Sequence, residues 1–276
     1  MIIVLKNADF SANNIGKLEI TTPIESKVEI AMASLTKYPC DKVNEYAQGL
    51  NQFYKGLVDS GIYNKITLLS LPIMSATIEE AGYNFITGEK SAEIPQAYAL
   101  DENGELYFTG NFPSDHKTGG FNISHSSSDI CIFGAITPAL SSIGSLFGAG
   151  IIGWYDAKNK VHFIETGPTG QVLQNNTVCL NAAGETMLGA RAAASGAFIV
   201  NYNGTDIRYR DSKGDYRGES SAEQTELKRF FPLCTSYNAV NRSNFSGKFF
   251  GVASALGDEE MTTLYKLIEK FTDVFE

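Results

Sequence analysis

Lys248-Phe-Phe-Gly-Val-Ala-Ser254, followed beyond Gly257 by Asp258-Glu-Glu-Met-Thr-Thr-Leu-Tyr-Lys-Leu-Ile-Glu-Lys-Phe271, is the stretch on which the fold turns. Its first part is rich in strand formers and bounded by Gly247 and Gly257. Asp258 stands where a helix N-cap belongs, and Glu259 and Glu260 fill a first turn that the helix dipole favours for negative charge. Met261, Leu264, Tyr265, Ile268 and Phe271 then recur at the spacing of one helical face. The pattern predicts a strand leading into a helix that must lie on an apolar surface, each buried side chain contributing about 1.5–3 kcal/mol. A stripe this regular is packing, not chemistry.

Upstream, short strands dominate. Candidates are residues 2–7, 16–22, 83–87, 96–100, 106–109, 121–124, 130–136, 150–155, 161–166, 177–181, 185–190, 197–202, 205–210, 230–235 and 249–254. Hairpin turns are predicted at Asp101-Glu-Asn-Gly104, Asp156-Ala-Lys-Asn159 and Asn203-Gly204. One helical region is predicted from Asp41 to Gly61, with glycine in the C-terminal capping position. Residues 62–71 continue as a short helix or strand stopped by Pro72, and 222–229 read as a turn or two of helix. The uncharged run from Ile130 to Tyr155 is long enough to span a bilayer. Its five glycines, with Pro138 and three serines, instead divide it into two buried strands and a loop. Strands without intervening helices predict an antiparallel two-sheet jelly-roll sandwich of mostly β class, with an N-terminal helical segment and a C-terminal helix. The division is residues 1–72, an anchoring or assembly element, and 73–276, the sandwich.

The bulk numbers narrow the function. At 43% hydrophobic and 19% charged the chain is globular. Its net charge of −9, with no Lys/Arg run, argues against nucleic acid. Cys40, Cys131, Cys179 and Cys234 form no CxxC pair, which excludes a zinc ribbon and points to buried free thiols. The start, Met-Ile-Ile-Val-Leu-Lys, lacks the basic region and the long apolar core of a signal peptide, so folding in a reducing cytoplasm is expected.

Three segments carry a resemblance. Phe250-Gly-Val-Ala-Ser-Ala-Leu256-Gly-Asp258-Glu-Glu-Met261-Thr-Thr-Leu264-Tyr265 resembles the close of laminin-G-like, concanavalin-A-like jelly rolls, where a last strand steps into a short helix carrying Leu-Tyr. Leu50-Asn-Gln-Phe53 and Leu57-Val-Asp-Ser-Gly61-Ile-Tyr63-Asn-Lys65-Ile66 resemble the segment preceding this domain in many bacteriophage and prophage virion proteins, with Tyr63 where tryptophan is usual. The opening, Leu5-Lys-Asn-Ala-Asp-Phe10-Ser-Ala-Asn-Asn14-Ile-Gly16, looks like the start of such proteins in gut-bacterial phages. The resemblance implies a tail, fibre or capsid-associated protein.

Chemistry-bearing patterns are sparse. Sandwiches of this kind that cleave polysaccharide align acids as Glu-x-Asp-x-Glu on one strand, and no such triplet occurs. Glu223-Gln-Thr-Glu226 is spaced like a solvated helix face. His116, His125 and His162 form no zinc motif, and the letters of Ser124-His125-Ser-Ser-Ser-Asp129 also suit a polar turn. Asp101-Glu102-Asn103 and Asp211/Asp215 could ligate calcium, but are equally good exposed turns. A glycan surface is the remaining candidate, with Trp154, Tyr155, Asp156, Arg208, Tyr209, Arg210 and Tyr216 supplying stacking rings and planar donors near two hairpin ends. The alternative is that Trp154 is core and the Arg/Tyr strand a wet sheet face or subunit contact.

The expectation is therefore a non-enzymatic bacteriophage virion protein, made in the host bacterial cytoplasm and working in assembly, with attachment to host-surface glycans as a further role. Its partners are copies of itself and other virion proteins, with no nucleic acid, no membrane span, no catalytic or metal residues and no cofactor. The alternatives are a bacterial surface carbohydrate-binding lectin and, disfavoured by the missing triplet, a polysaccharide depolymerase.

Overall fold

The computed structural model describes residues 24–35, 42–91, 94, 98–109, 120–126, 128–138, 149–156, 161–166, 177–182, 184–191, 196–219, 226–233 and 245–276. In 149–191 the description is of backbone alone. The strands expected at 2–7 and 16–22, and Cys40, Cys234 and His116, lie outside it.

Strand β5 (Asp129–Pro138) is the axis of the molecule. On one side it pairs with β10 (Gly196–Asn203), from which β11 (Asp206–Asp211) and β12 (Gly214–Glu219) meander outward. On the other it pairs with β14 (Phe245–Ala253), which carries β1 (Ile66–Ser70) at its edge and the hairpin of β2 (Tyr98–Leu100) and β3 (Leu106–Phe108) at its start. The second layer runs β4 (Phe121–Ser126), β13 (Glu226–Pro232), β6 (Ala149–Asp156), β7 (Val161–Thr166), β8 (Thr177–Ala182), β9 (Gly184–Arg191). Among the described residues, strand pairing joins it to the first at the corner where Ser126 of β4 pairs with Asp129 of β5. Every strand pairing among the described residues is antiparallel, and the chain forms the mostly β jelly-roll sandwich with N-terminal helices and a C-terminal helix.

The first layer is buried on both faces. Along β5, Ile130, Ile132 and Ile136 face the second layer, while Cys131, Phe133 and Ala135 face a layer of helices. Strands β10 and β14 divide likewise, Phe198, Val200, Phe250 and Val252 against Ala197, Ile199, Phe249 and Ala253. Two-sided burial explains why Ile130–Ile136 reads as a continuous apolar run without alternation. The Phe230 ring of β13 crosses to Phe250 of β14 at 6.5 Å between centroids, joining the layers. Burial also pushes the Cys131 thiol up, which keeps it an inert packing group.

The helix side holds α1 (Ser26–Ser34), α2 (Val43–Asp59) and, after the four-residue α3 (Ile78–Ala81) at one edge, α4 (Asp258–Thr272). Met261, Leu264, Tyr265, Ile268 and Phe271 are all buried, as their spacing predicts. The cap differs from expectation. Gly257 is the N-cap residue, and Glu260 reaches back to accept from its N–H at 2.8 Å. Asp258 is instead the first helical residue, its carboxylate taken by Arg208 and Arg217. Asn203-Gly204 turns as expected, with Gly204 at φ +66°.

Three other expectations change. Residues 83–87 form a turn, because the Asn84 side chain occupies the edge of β1, accepting from Leu69 N–H and donating to Thr67 C=O. Glu226–Arg229 belongs to β13, its backbone held between β4 and β6. Residues 62–71 are both a helical turn and a strand, split at Ile66.

Gly134 marks a close approach of backbone to backbone in the first layer: a Cβ there would lie 2.4 Å from the Phe249 carbonyl oxygen. Backbone cannot swing away as a side chain can. Gly134→Ala is expected to lower stability by about 3 kcal/mol, read as an earlier urea midpoint. A midpoint equal to wild type would mean that β5 and β14 are farther apart than described.

Candidate functional site

The β4–β5 corner opens a cleft of about 530 Å³ lined by Thr67, Ser124, His125, Ser126, Asp129, Glu226 and Ser254. Strand register assembles it. Glu226 pairs with Ser126, and Ser126 pairs with Asp129, so the three sit in a row across β13, β4 and β5. Directly paired residues point to the same side of a sheet, and each step is about 5 Å. Two carboxylates thus flank one serine, each delivered by a different strand.

Alternation along β4 buries Phe121, Ile123 and His125 and turns Asn122 and Ser124 outward. His125 is 9% exposed, with Nε2 2.7 Å from the Thr67 hydroxyl, which also lies 3.3 Å from the Val252 carbonyl. Asn84 holds the Thr67 carbonyl from the far side, fixing the floor of the cleft. Asp129 accepts from Ala255 N–H at 2.8 Å, and Ser126 shares a 2.9 Å hydrogen bond with Ser128. Glu226 pairs with Lys228 on its own strand.

Burial holds His125 below the usual imidazole range, partly offset by the Asp129 backbone and charge, so the ring is neutral at pH 7. The unfolded chain therefore binds a proton more readily than the folded one, and this contribution to stability falls as pH drops below about 6.5. His125→Gln is expected to flatten the loss of stability between pH 7 and 5, measured by urea midpoints at each pH. An unchanged slope would take His125 out of the account. Asp258, held down by Arg217 and then Arg208, loses its contribution only below the ordinary carboxylate range, about pH 4. Glu260 behaves likewise: burial pushes it up, but Lys65 and the Gly257 N–H outweigh that.

The residues singled out in the sequence fall elsewhere. Trp154, Tyr155 and Asp156 end β6, opposite Phe230, Arg229 and Leu227 of β13; their side chains lie outside the described residues. Arg208 is buried and pairs with Asp215 and Asp258. Arg210 donates to Thr262 at 2.9 Å and stacks 4.9 Å from the Tyr265 ring, so both arginines tie β11 to α4. Tyr209 is 1% exposed in the inter-sheet core, with Tyr216 half-buried 6.3 Å from it. The strand order separates β6 from the β11–β12 hairpin, so the two sets do not form one patch.

The calcium candidates are spent on their own turns or on arginine. Asp101 accepts from Asn103 and Glu105 N–H, Asp211 from Lys213 N–H, and Asp215 pairs with Arg208. Among the described residues no group of three or more His, Cys, Asp or Glu is placed to hold a metal ion, and no helix is long and apolar enough to cross a membrane.

No protein-family model and no curated protein matches the chain. Solved structures do. The GH43 BlXynB protein of Bacillus licheniformis aligns over 57% of this chain and 34% of its own, at 13% identity and TM-score 0.38. Domain 4 of AbnA, a GH43 extracellular arabinanase of Geobacillus stearothermophilus, solved with arabinotriose, aligns over 74% of this chain and 98% of its own, at 12% identity and TM-score 0.44. Winged bean acidic lectin, solved with methyl-α-D-galactose, aligns over 59% and 92%, at 9% identity and TM-score 0.36. The chain spans only about a third of the Bacillus licheniformis protein, and at these scores the likeness is one of architecture in outline.

Two of these structures come from glycoside hydrolases, and the expectation of a non-enzymatic chain is set aside. That expectation rested on missing motifs, and the acid triplet among them tests one strand at a time. Carboxylates can also converge from separate strands, as Glu226 and Asp129 do across Ser126.

Proposed function

We propose that this chain binds carbohydrate in the cleft at the β4–β5 corner. The lining carries the reading: four hydroxyls, from Thr67, Ser124, Ser126 and Ser254, with one imidazole and two carboxylates, held on strands or at their ends. Short side chains that both donate and accept suit the closely spaced hydroxyls of a sugar ring, and the volume takes a small oligosaccharide. Trp154, Tyr155 and Asp156 stay in the proposal as a neighbouring subsite, since β6 is paired with β13, the strand of Glu226. Arg208, Tyr209, Arg210 and Tyr216 serve packing in this reading.

The finer setting we propose is a bacteriophage virion, where the chain assembles with copies of itself and other virion proteins and attaches to host-surface glycans. Its support is the resemblance of the Leu50–Ile66 segment and of the opening Leu5–Gly16 to virion proteins. Immunolabelling of purified particles tests that setting; particles without label would leave a bacterial surface lectin instead.

A glycan array tests the binding itself. Wild type is expected to bind, and Ser126→Leu, which fills the cleft, to lose about tenfold or more while keeping its thermal midpoint. No array signal, or a signal that Ser126→Leu leaves intact, would remove the cleft from the account.

A further inference from the structure

We infer that the cleft selects uncharged and amine-bearing sugars and rejects anionic ones such as uronates, sialates and sulfated glycans. This rests on the carbohydrate reading above and adds the substrate class. Among the described residues no Lys or Arg lines the cleft. Among the described side chains, the lysines beside it are engaged, Lys65 with Glu260 at 2.7 Å and Lys228 with Glu226. Asp129 and Glu226 stand on either side of Ser126, so a ring seated over that serine lies between two carboxylates. The one group that could turn cationic, His125, is buried beneath them and bonded to Thr67.

An acidic sugar brought here meets the Asp129 carboxylate and must displace Glu226 from Lys228 to reach a cation, whereas an ammonium group meets acceptors on both sides of Ser126. Like charges within a few ångströms at a protein surface cost enough to set affinities apart by about tenfold or more. The net charge of −9 adds a long-range field of the same sign.

Three hexasaccharides sharing a β-1,4 backbone isolate this effect: cellohexaose, the fully de-N-acetylated glucosamine hexamer, and the glucuronate hexamer. Calorimetric titration at low salt is expected to rank them glucosamine, then glucose, with glucuronate weaker than glucose by about tenfold or more. Asp129→Asn/Glu226→Gln is expected to bring the three within a fewfold of one another, with an unchanged thermal midpoint showing that the fold is intact. Glucuronate binding to wild type as tightly as glucose, with loss in Ser126→Leu, would overturn the selectivity while leaving the cleft a glycan site. No binding by any of the three, together with a silent glycan array, would overturn the carbohydrate reading and this inference with it.

Discussion

Replacing Phe271 with alanine is expected to cost about 3–5 kcal/mol of stability, the loss typical of a large ring taken from a packed core. Phe271 is 1% exposed and lies where three elements meet. Its ring stacks on Phe53 of α2 at 4.7 Å, meets Phe249 of β14 edge-on at 5.3 Å, and meets Phe275 at 5.0 Å. Removing it leaves a void between both helices and the sheet, which cannot collapse because β14 is pinned between β5 and β1. Urea unfolding followed by far-UV dichroism measures the loss. A change under 1 kcal/mol would show that α4 rests on the sheet without closing it.

Asn201 is expected to be nearly as sensitive for a different reason. It is 2% exposed in the middle of β10, and its amide makes a two-way bond with Leu256, donating to the carbonyl at 3.0 Å and accepting from the N–H at 2.8 Å. That clamp fixes the turn between β14 and α4. Asn201→Leu keeps the approximate volume but strands two buried backbone groups, at about 1–3 kcal/mol each. A urea midpoint within error of wild type would mean that water satisfies Leu256 instead.

The contrast between these positions shows what the sequence could disclose. Phe271 belongs to a periodic stripe, and periodicity is a local property, so its burial was legible from spacing alone. The hairpin at Asn203-Gly204 was legible for the same reason. Asn201 sits in a polar-looking position inside an apolar strand, and its partner is 55 residues away. Asn84 hides in the same manner, replacing a missing strand beside β1 with its side-chain amide. Thr77-Ile-Glu-Glu80 is a local signal with the spacing of a capping box that opens α3: Glu80 N–H donates to the Thr77 hydroxyl, while the Glu80 carboxylate reaches past the cap to accept from Ala76 N–H.

The cleft was not legible at all as a site. His125 and Asp129 are neighbours in a polar run, but Thr67, Glu226 and Ser254 come from three distant parts of the chain. Glu226 looked helical because its spacing from Glu223 matches a helix face, while tertiary pairing with β4 and β6 makes it a strand residue. Register between non-adjacent strands, not composition, sets two carboxylates beside Ser126, and register leaves little trace in a single sequence.

The most direct measurement is a crystal structure of the chain soaked with the glucosamine hexamer. The account predicts a sugar ring at the β4–β5 corner, within hydrogen-bonding distance of Asp129, Ser126 and Glu226. Sugar bound instead along the β11–β12 hairpin, with the corner holding only solvent, would contradict it.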